Sequence, residues 1–431
     1  MAGVNDLAGL KARLEEATAA ALPRQTAWLA DLVRFASTRG QEGDCQRWLA
    51  GQFAGRGWQV DLFSLADVAL AGAAGASPAV EVDLAEALQV VAKVPARVTE
   101  GRSLILQGHI DVVPPGPREL WRHDPFDPQI ADGRIHGRGT ADMKVGVAAM
   151  VFALEALAAI GLEPTADIFV ETVSEEECTG NGALGTLLRG HVAEACLIPE
   201  AVGNRLLRAQ LGSVWFRLRL LGEPAHILER GPGASAILQM YDHACALQDL
   251  AAAANRLAAE DPWFGAMAQP VTFSMGKICG GDWIGMVPAW CEADCRIGVL
   301  PGQSVAAVRE AICAQVAQCA ARIGSAVPEV SWIGFAADPY VLAPGGAAEA
   351  ALASAHELVF GAPLESFCLP ATTDVRQYGV HYGIPALCYG SSGGGIHAAN
   401  EYADLESMRQ TTITLALFVA LWCGVRPALS A

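Results

Sequence analysis

Five residues of metal-ligating type, His109, Asp142, Glu177, Glu200 and His397, stand where apolar segments or glycine-rich turns of this 431-residue chain end. His109 and Asp111 leave an apolar run as His-Ile-Asp. Asp142 lies in the loop GRGTADMKVG, and Glu175, Glu176 and Glu177 follow ADIFVETVS. Glu200 follows ACLIP, and His397 sits in SSGGGIHAANEY. Each alone has an ordinary reading, a hydrogen-bonded core histidine or a solvated acidic face. Their recurrence at the exits of successive core segments is harder to dismiss, because open α/β sheets gather ligands at the carboxyl ends of their strands. Two imidazoles and three carboxylates suit a pair of divalent ions, each taking about four ligands with one carboxylate shared. Two such ions roughly 3.5–4 Å apart can share a hydroxide and polarise a carbonyl oxygen. That is hydrolytic chemistry.

The stretches GHIDVVPPG, GRGTADMKVG, SEEECTGNGA and LIPEA, with the late His397, occur in one order from Gly108 onward. Together they resemble the motif set of the acetylornithine deacetylase, succinyl-diaminopimelate desuccinylase, aminoacylase and glutamate carboxypeptidase family of dizinc metallohydrolases. The resemblance implies that His109 and Glu200 bind one ion, that Glu177 and His397 bind the other, and that Asp142 bridges them. It implies that Asp111 orients His109 through its second ring nitrogen. In SEEECTGNGA the family register makes Glu175 the leading acid, Glu176 the general base and Glu177 the ligand; a slip of one residue would exchange these roles. Glu176 would take a proton from a metal-bridging water and pass it to the leaving amine.

The same resemblance assigns His226, in GEPAHILERGPGASAI, to an oxyanion across a dimer interface. It assigns Arg296, in EADCRIGVLPG, to a substrate carboxylate. A guanidinium suits that bidentate task; a structural ion pair is the other reading. Asp374 and Arg376, in ATTDVRQY, fall near the site as supporting structure or as substrate contacts. Three positions depart from the family pattern: Ala201 after Glu200, Ser235 where Asn is common, and Ile396 before His397. All three bear on the substrate rather than on the metals.

These residues need a scaffold that brings distant segments to one edge. Helical spacing covers about Asp6–Phe35 and Asp44–Arg56, and Gly146–Ile160 reads as a buried helix. ALQVVAKV, RSLILQGHIDVV, ADIFVETVS and ACLIPEA read as strands, apolar and β-branched between turn residues. From about Arg208 the texture shifts to a β-α-β-β-α order, with a helix entered through the turn Gly231-Pro232-Gly233, and EVSWIGF closes it. A helix at Ala348–Phe360, the strand IPALCYG and a last helix near Leu405–Cys423 resume the first pattern. The expected fold is α/β. Residues 1–207 and 337–431 form a catalytic domain with a mixed, largely parallel sheet and helices on both faces. Residues 208–336 form an inserted, smaller α+β (ferredoxin-like) dimerisation and lid domain.

Composition narrows the function classes. A net charge of −17 and no basic cluster argue against nucleic acid. No run of about 18 uncharged apolar residues is present to span a bilayer, and the first residues lack the pattern of a signal peptide. The 12 scattered cysteines read as buried thiols of a reducing cytoplasm. The leading expectation is a cytoplasmic homodimer, joined through its inserted domain, with two divalent ions per chain: zinc first, cobalt or manganese also suited. It would deacylate an N-acyl amino acid or cleave a small peptide. A second reading keeps the metals and changes the bond to an N-carbamoyl, aryl amide or aryl amine C–N bond, with Trp283, Trp290, Phe335 and Tyr340 either lining an apolar pocket or packed as core. A third, a non-catalytic ligand-binding relative, requires missing ligands, and none is missing.

Overall fold

The computed structural model describes residues 6–228 and 235–428. In chain order the main elements begin with α1 (Leu7–Val33), α2 (Gly43–Gly55), β1 (Gln59–Ser64), β2 (Leu88–Val94) and β3 (Leu104–His109). Next come α3 (Val145–Ala159), β4 (Ile168–Val173), α4 (Asn181–Leu188) and β5 (Cys196–Ile198). Then follow β6 (Gly212–Leu221), α5 (Ala236–Ala258), β7 (Phe273–Gly280), β8 (Trp290–Val299), α6 (Val305–Ile323) and β9 (Glu329–Ala337). The chain closes with α7 (Ala347–Phe360), β10 (Ala386–Cys388) and α8 (Leu405–Trp422).

The larger sheet runs β1-β2-β4-β3-β5-β10. The β4–β3, β3–β5 and β5–β10 pairings are parallel, and only the β1–β2 and β2–β4 pairings are antiparallel. Every residue of β3, LILQGH, is buried. A strand covered on both faces needs no polar alternation, which explains its continuous apolar run. Because β3, β4 and β5 are parallel, their carboxyl ends emerge along one edge. His109 ends β3, Glu175–Glu177 follow β4, and Glu200 follows β5.

Helix α3 is buried almost all round, as its uninterrupted apolar sequence requires. It sits close to the strand ends because of Gly146, where a Cβ would collide with the Pro199 carbonyl. That approach sets the loop carrying Asp142 beside the one carrying Glu200.

Residues 212–337 build a second sheet, β7-β8-β6-β9, with every pairing antiparallel. With α5 and α6 this is the β-α-β-β-α-β order of a ferredoxin-like unit. It has its own core, including Phe216, Leu218, Leu247, Ile297 and Ile312. The turn Gly231-Pro232-Gly233 lies outside the described residues. The sequence reading did not mark α4 or a small sheet of short strands that includes Arg134–His136 and Tyr402–Asp404. Strands of two or three residues are too short to show periodicity. The cysteines are all free. Cys279 and Cys313 are exposed rather than buried, a correction to the expectation that all are core thiols. Among the described residues no helix is long and apolar enough to cross a membrane.

Candidate metal centre and its cavity

The carboxyl edge of the larger sheet brings the five expected ligands together. The Asp142 carboxylate lies between two imidazoles, Oδ1 at 3.0 Å from His109 Nε2 and Oδ2 at 3.1 Å from His397 Nε2. Each imidazole meets a further carboxylate. Glu200 lies 3.5 Å from His109 Nε2, and Glu177 lies 3.1 Å from His397 Nε2. Glu176 stands 3.8 Å from His109 Nε2. One ligand atom each from His109, Asp142 and Glu177 lies within 4.8 Å of the others. The chain therefore carries a candidate metal site.

Backbone anchors hold this arrangement. Glu401 is fully buried and accepts hydrogen bonds from the amides of Gly139, Ala141 and Asp142 at 3.0, 2.8 and 3.1 Å, and from Arg138 Nη1 at 2.6 Å. It thus ties the Asp142 loop to the segment carrying His397. Lys144, also fully buried, donates to the Leu32 and Phe35 carbonyls at 3.1 and 2.8 Å and satisfies the end of α1. Glu175 takes a left-handed backbone, φ +68°, uncommon for a residue with a Cβ. Its carboxylate is gripped by Arg39 Nε and Nη2 at 2.6 and 3.0 Å, and its carbonyl accepts from the Thr179 and Gly180 amides. That turn aims Glu176 and Glu177 at the site. Asp111 supports it differently from the expectation. Its carboxylate accepts from the Glu177 amide at 3.0 Å, and its backbone carbonyl, at 3.0 Å, is the nearer partner of His109 Nδ1; its own Oδ1 is 3.6 Å away.

The site carries more acid than base. Burial alone would keep His109 neutral, but Glu176, Asp111, Asp142 and Glu200 outweigh it and raise the imidazole well above its usual range. Hydrogen bonds to Asp142 and Glu177 push His397 up to about 10. Burial works against the Asp142 anion, yet the two imidazoles bring its carboxyl below the usual range. Burial, then the charge of Asp142, push Glu177 up to about 7. Glu176 is held well above a normal carboxylate, first by burial, with His109 opposing and Asp374, Glu177 and Glu200 adding to the rise. Two imidazoles among four crowded carboxyl groups make a donor set that a pair of divalent cations would balance.

A cavity of about 470 Å³ lies between this edge and the second sheet. Asp111, Glu177 and Arg39 line one side; Trp215, Arg217 and Arg296 line the other. Arg296 meets no carboxylate among the described residues, and its buried Nε has no partner. Burial lowers its pKa from the usual value. Asp374 and Arg376 are enclosed behind the glutamates and do not line the cavity. Asp374 accepts from Gln107 at 2.9 Å, and Arg376 donates to the Thr179 carbonyl at 2.7 Å. His226 is exposed on a short ribbon, paired with Met286, and touches none of the cluster in its own chain. None of the four aromatic residues lines the cavity: Phe335 and Tyr340 pack in the interior, Trp283 is 71% exposed, and Trp290 donates to Asp282 at 3.0 Å. Trp215 takes that place. Glu401, Lys144 and Arg39 escaped the sequence reading. The one available signal was Glu401, four residues after His397 in the same segment.

The model of peptidase family M20/M25/M40 matches residues 105–421 of the chain. A succinyl-diaminopimelate desuccinylase of Xanthomonas oryzae pv. oryzae (strain MAFF 311018) is 34% identical over 209 residues, 46% of this chain and 49% of that protein. The chain thus spans about half the length of that relative in the match. A succinyl-diaminopimelate desuccinylase of Bordetella avium (strain 197N) is 27% identical over 402 residues, 88% of this chain and 93% of the relative. Among solved structures, the dipeptidase Dug1p of Saccharomyces cerevisiae superposes with a TM-score of 0.79 at 14% identity, covering 96% of this chain and 98% of its own. That likeness is one of fold.

Proposed function

The chain belongs to peptidase family M20/M25/M40, and from that premise we propose that it is a two-metal hydrolase of amide C–N bonds. Its substrate is an N-acyl amino acid or a small peptide. The observation that carries the reading is Asp142, whose two oxygens face two different imidazoles, each with a second carboxylate of its own. His109 and Glu200 would hold one ion, His397 and Glu177 the other, with Asp142 shared. Zinc suits this donor set first, and cobalt or manganese also fit. Ions bound there would supply an activated water and a polarised substrate carbonyl.

The chain's own residues do the rest. Glu176, buried and beside the ligands rather than among them, accepts the proton released as water adds to the carbonyl. It then delivers that proton to the leaving nitrogen. Asp374 and Arg376, being enclosed, support this carboxylate from behind. Arg296 receives the substrate carboxylate from across the cavity. A cavity with one tryptophan and several cationic side chains favours a carboxylate-bearing amide over an aryl amine.

Residues 208–336 serve as the inserted lid and dimerisation domain. Leu228, Ile284 and Trp283, 85%, 95% and 71% exposed near His226, form an apolar face that a second copy would cover. His226 would then serve the partner's site as an oxyanion donor. Twelve free cysteines support a cytoplasmic setting. The decisive variant is Glu176→Ala. It is expected to lower kcat by about 10²–10⁴-fold with metal content unchanged by elemental analysis; normal turnover would sink the assignment.

A further inference from the structure

Between β1 and β2 the chain makes a segment, residues 72–82, that belongs to neither sheet. It crosses the cavity from one wall to the other. On the side of the metal cluster, the Ser77 amide and carbonyl bond the Asn181 side chain, both at 3.0 Å. The Gly75 carbonyl accepts from Gln377 at 3.1 Å, and the Val80 carbonyl accepts from Arg39 Nη1 at 2.9 Å. On the side of the second sheet, the Pro78 carbonyl accepts from the Gly334 amide at 2.9 Å, and Ser77 Oγ accepts from the Ala336 amide at 3.1 Å. Glu81, with a left-handed φ of +61°, accepts from Arg217 Nη1 at 2.7 Å. Arg217 is held in turn by Asp294 at 2.6 and 2.9 Å.

Val80 and Glu81 line the cavity itself. The two walls also meet at Gly334, where a Cβ would stand 2.8 Å from the Cys178 carbonyl, next to Glu177. A substrate with its scissile carbonyl at the cluster and its carboxylate at Arg296 spans the two walls. Val80 and Glu81 line the same cavity, where any further residues of such a substrate would have to be accommodated.

We propose that the strap Ser77–Glu81, latched by the Glu81–Arg217 ion pair, is a specificity element that sets the upper length of the substrate and restricts turnover to acyl amino acids and dipeptides. The proposal deepens the amidase reading and rests on it. The strap is a positioning device and takes no part in bond cleavage. A half-exposed ion pair is individually weak, so the test removes both side-chain links to the second sheet at once, in the double variant Ser77→Ala, Glu81→Ala, leaving the Pro78–Gly334 backbone bond.

The metal-loaded, full-length protein is given a ladder of substrates sharing one scissile residue: an N-acyl amino acid, a dipeptide, a tripeptide and a tetrapeptide. In the natural protein kcat/KM is expected to fall about tenfold or more from dipeptide to tripeptide. In the double variant the fall shrinks to about threefold or less, carried by KM rather than kcat, and Glu81→Asp with Ser77 retained restores most of it. Identical ladders in the two proteins, or no length discrimination in the natural one, overturn the proposal. The same ladder is also run as competing ligands in thermal-shift titrations with zinc present, which report binding without turnover. If nothing is hydrolysed, the amidase reading has failed and the limit on turnover falls with it; the binding ladder then decides whether the strap limits the length of bound ligand, which an unchanged ladder in the variant would overturn. Should the double variant not fold, Glu81→Gln, which keeps the side-chain shape, must show the same relaxation to a lesser degree.

Discussion

The two walls of the cavity are built on opposite terms. On the metal-cluster side the candidate groups other than the half-exposed His397 are largely enclosed, and the Asp142 loop is bonded several times over: Glu401 alone takes three amides and a guanidinium. On the wall of the second sheet the side chains that would meet substrate stand on an open sheet face. Arg296 has no paired carboxylate among the described residues, and Lys277 is exposed. Chemistry that needs donors within a few tenths of an ångström is held by redundant backbone anchors. Recognition is left to side chains that one substitution can change without moving the cluster. The difference implies that damage on one side shows in metal binding and kcat, and on the other in KM.

The largest effect that would break this contrast lies at Glu401. Glu401→Ala strands three buried amides around Asp142 and is expected to lower metal affinity and kcat/KM by about 10–100-fold, the usual scale for groups that orient ligands. Isothermal titration with zinc and steady-state kinetics check it. Unaltered zinc affinity would mean that the loop is not held by this anchor. Arg296→Ala sharpens the other side. It should raise KM about tenfold for substrates carrying a free carboxylate, with kcat changed by no more than about threefold. Substrates whose carboxylate is blocked as an amide should barely respond. A uniform loss of kcat would place Arg296 with the cluster instead.

The asymmetry also explains what could be read in advance. The five candidate ligands were legible because each stands at the end of an apolar run or in a glycine-rich loop, and parallel strands bring such ends to one edge. The second domain was legible from its β-α-β-β-α order, and alternation along SVWFRLRLLG turns Trp215 and Arg217 to the same face. Glu401 was hidden by its neighbours: in HAANEY it reads as a solvated charge, and only the fold of Gly137–Asp142 around it reveals its partners. Lys144 likewise reads as a surface charge at a helix start. The strap carries no periodicity at all, since its structure comes from bonds to residues far away in the chain. Asp111 shows a finer limit. Its position near His109 follows from the two-residue spacing, but whether carbonyl or carboxylate meets the ring depends on the turn.

The smallest expected effect concerns an exception on the buried side. Glu42 is 1% exposed, and among the described residues neither of its oxygens has a hydrogen-bond partner, although the amides of Glu42 and Gly40 lie close enough to favour the anion. Burial, then the charges of Asp111 and Glu175, push its carboxyl up to about 8 from an ordinary 4.5. A carboxyl raised on folding keeps its proton in the folded chain and sheds it sooner in the unfolded one. Its contribution to stability is therefore complete below the unfolded value and is lost as pH rises through the folded one. Glu42→Gln keeps the shape and cannot ionise, so the variant should gain on the natural protein between pH 5 and pH 8, by on the order of 1 kcal/mol or more. Urea unfolding at the two pH values measures the difference. A gain of equal size at both would mean that Glu42 is charged in the fold, and that this buried corner is bonded as fully as the rest.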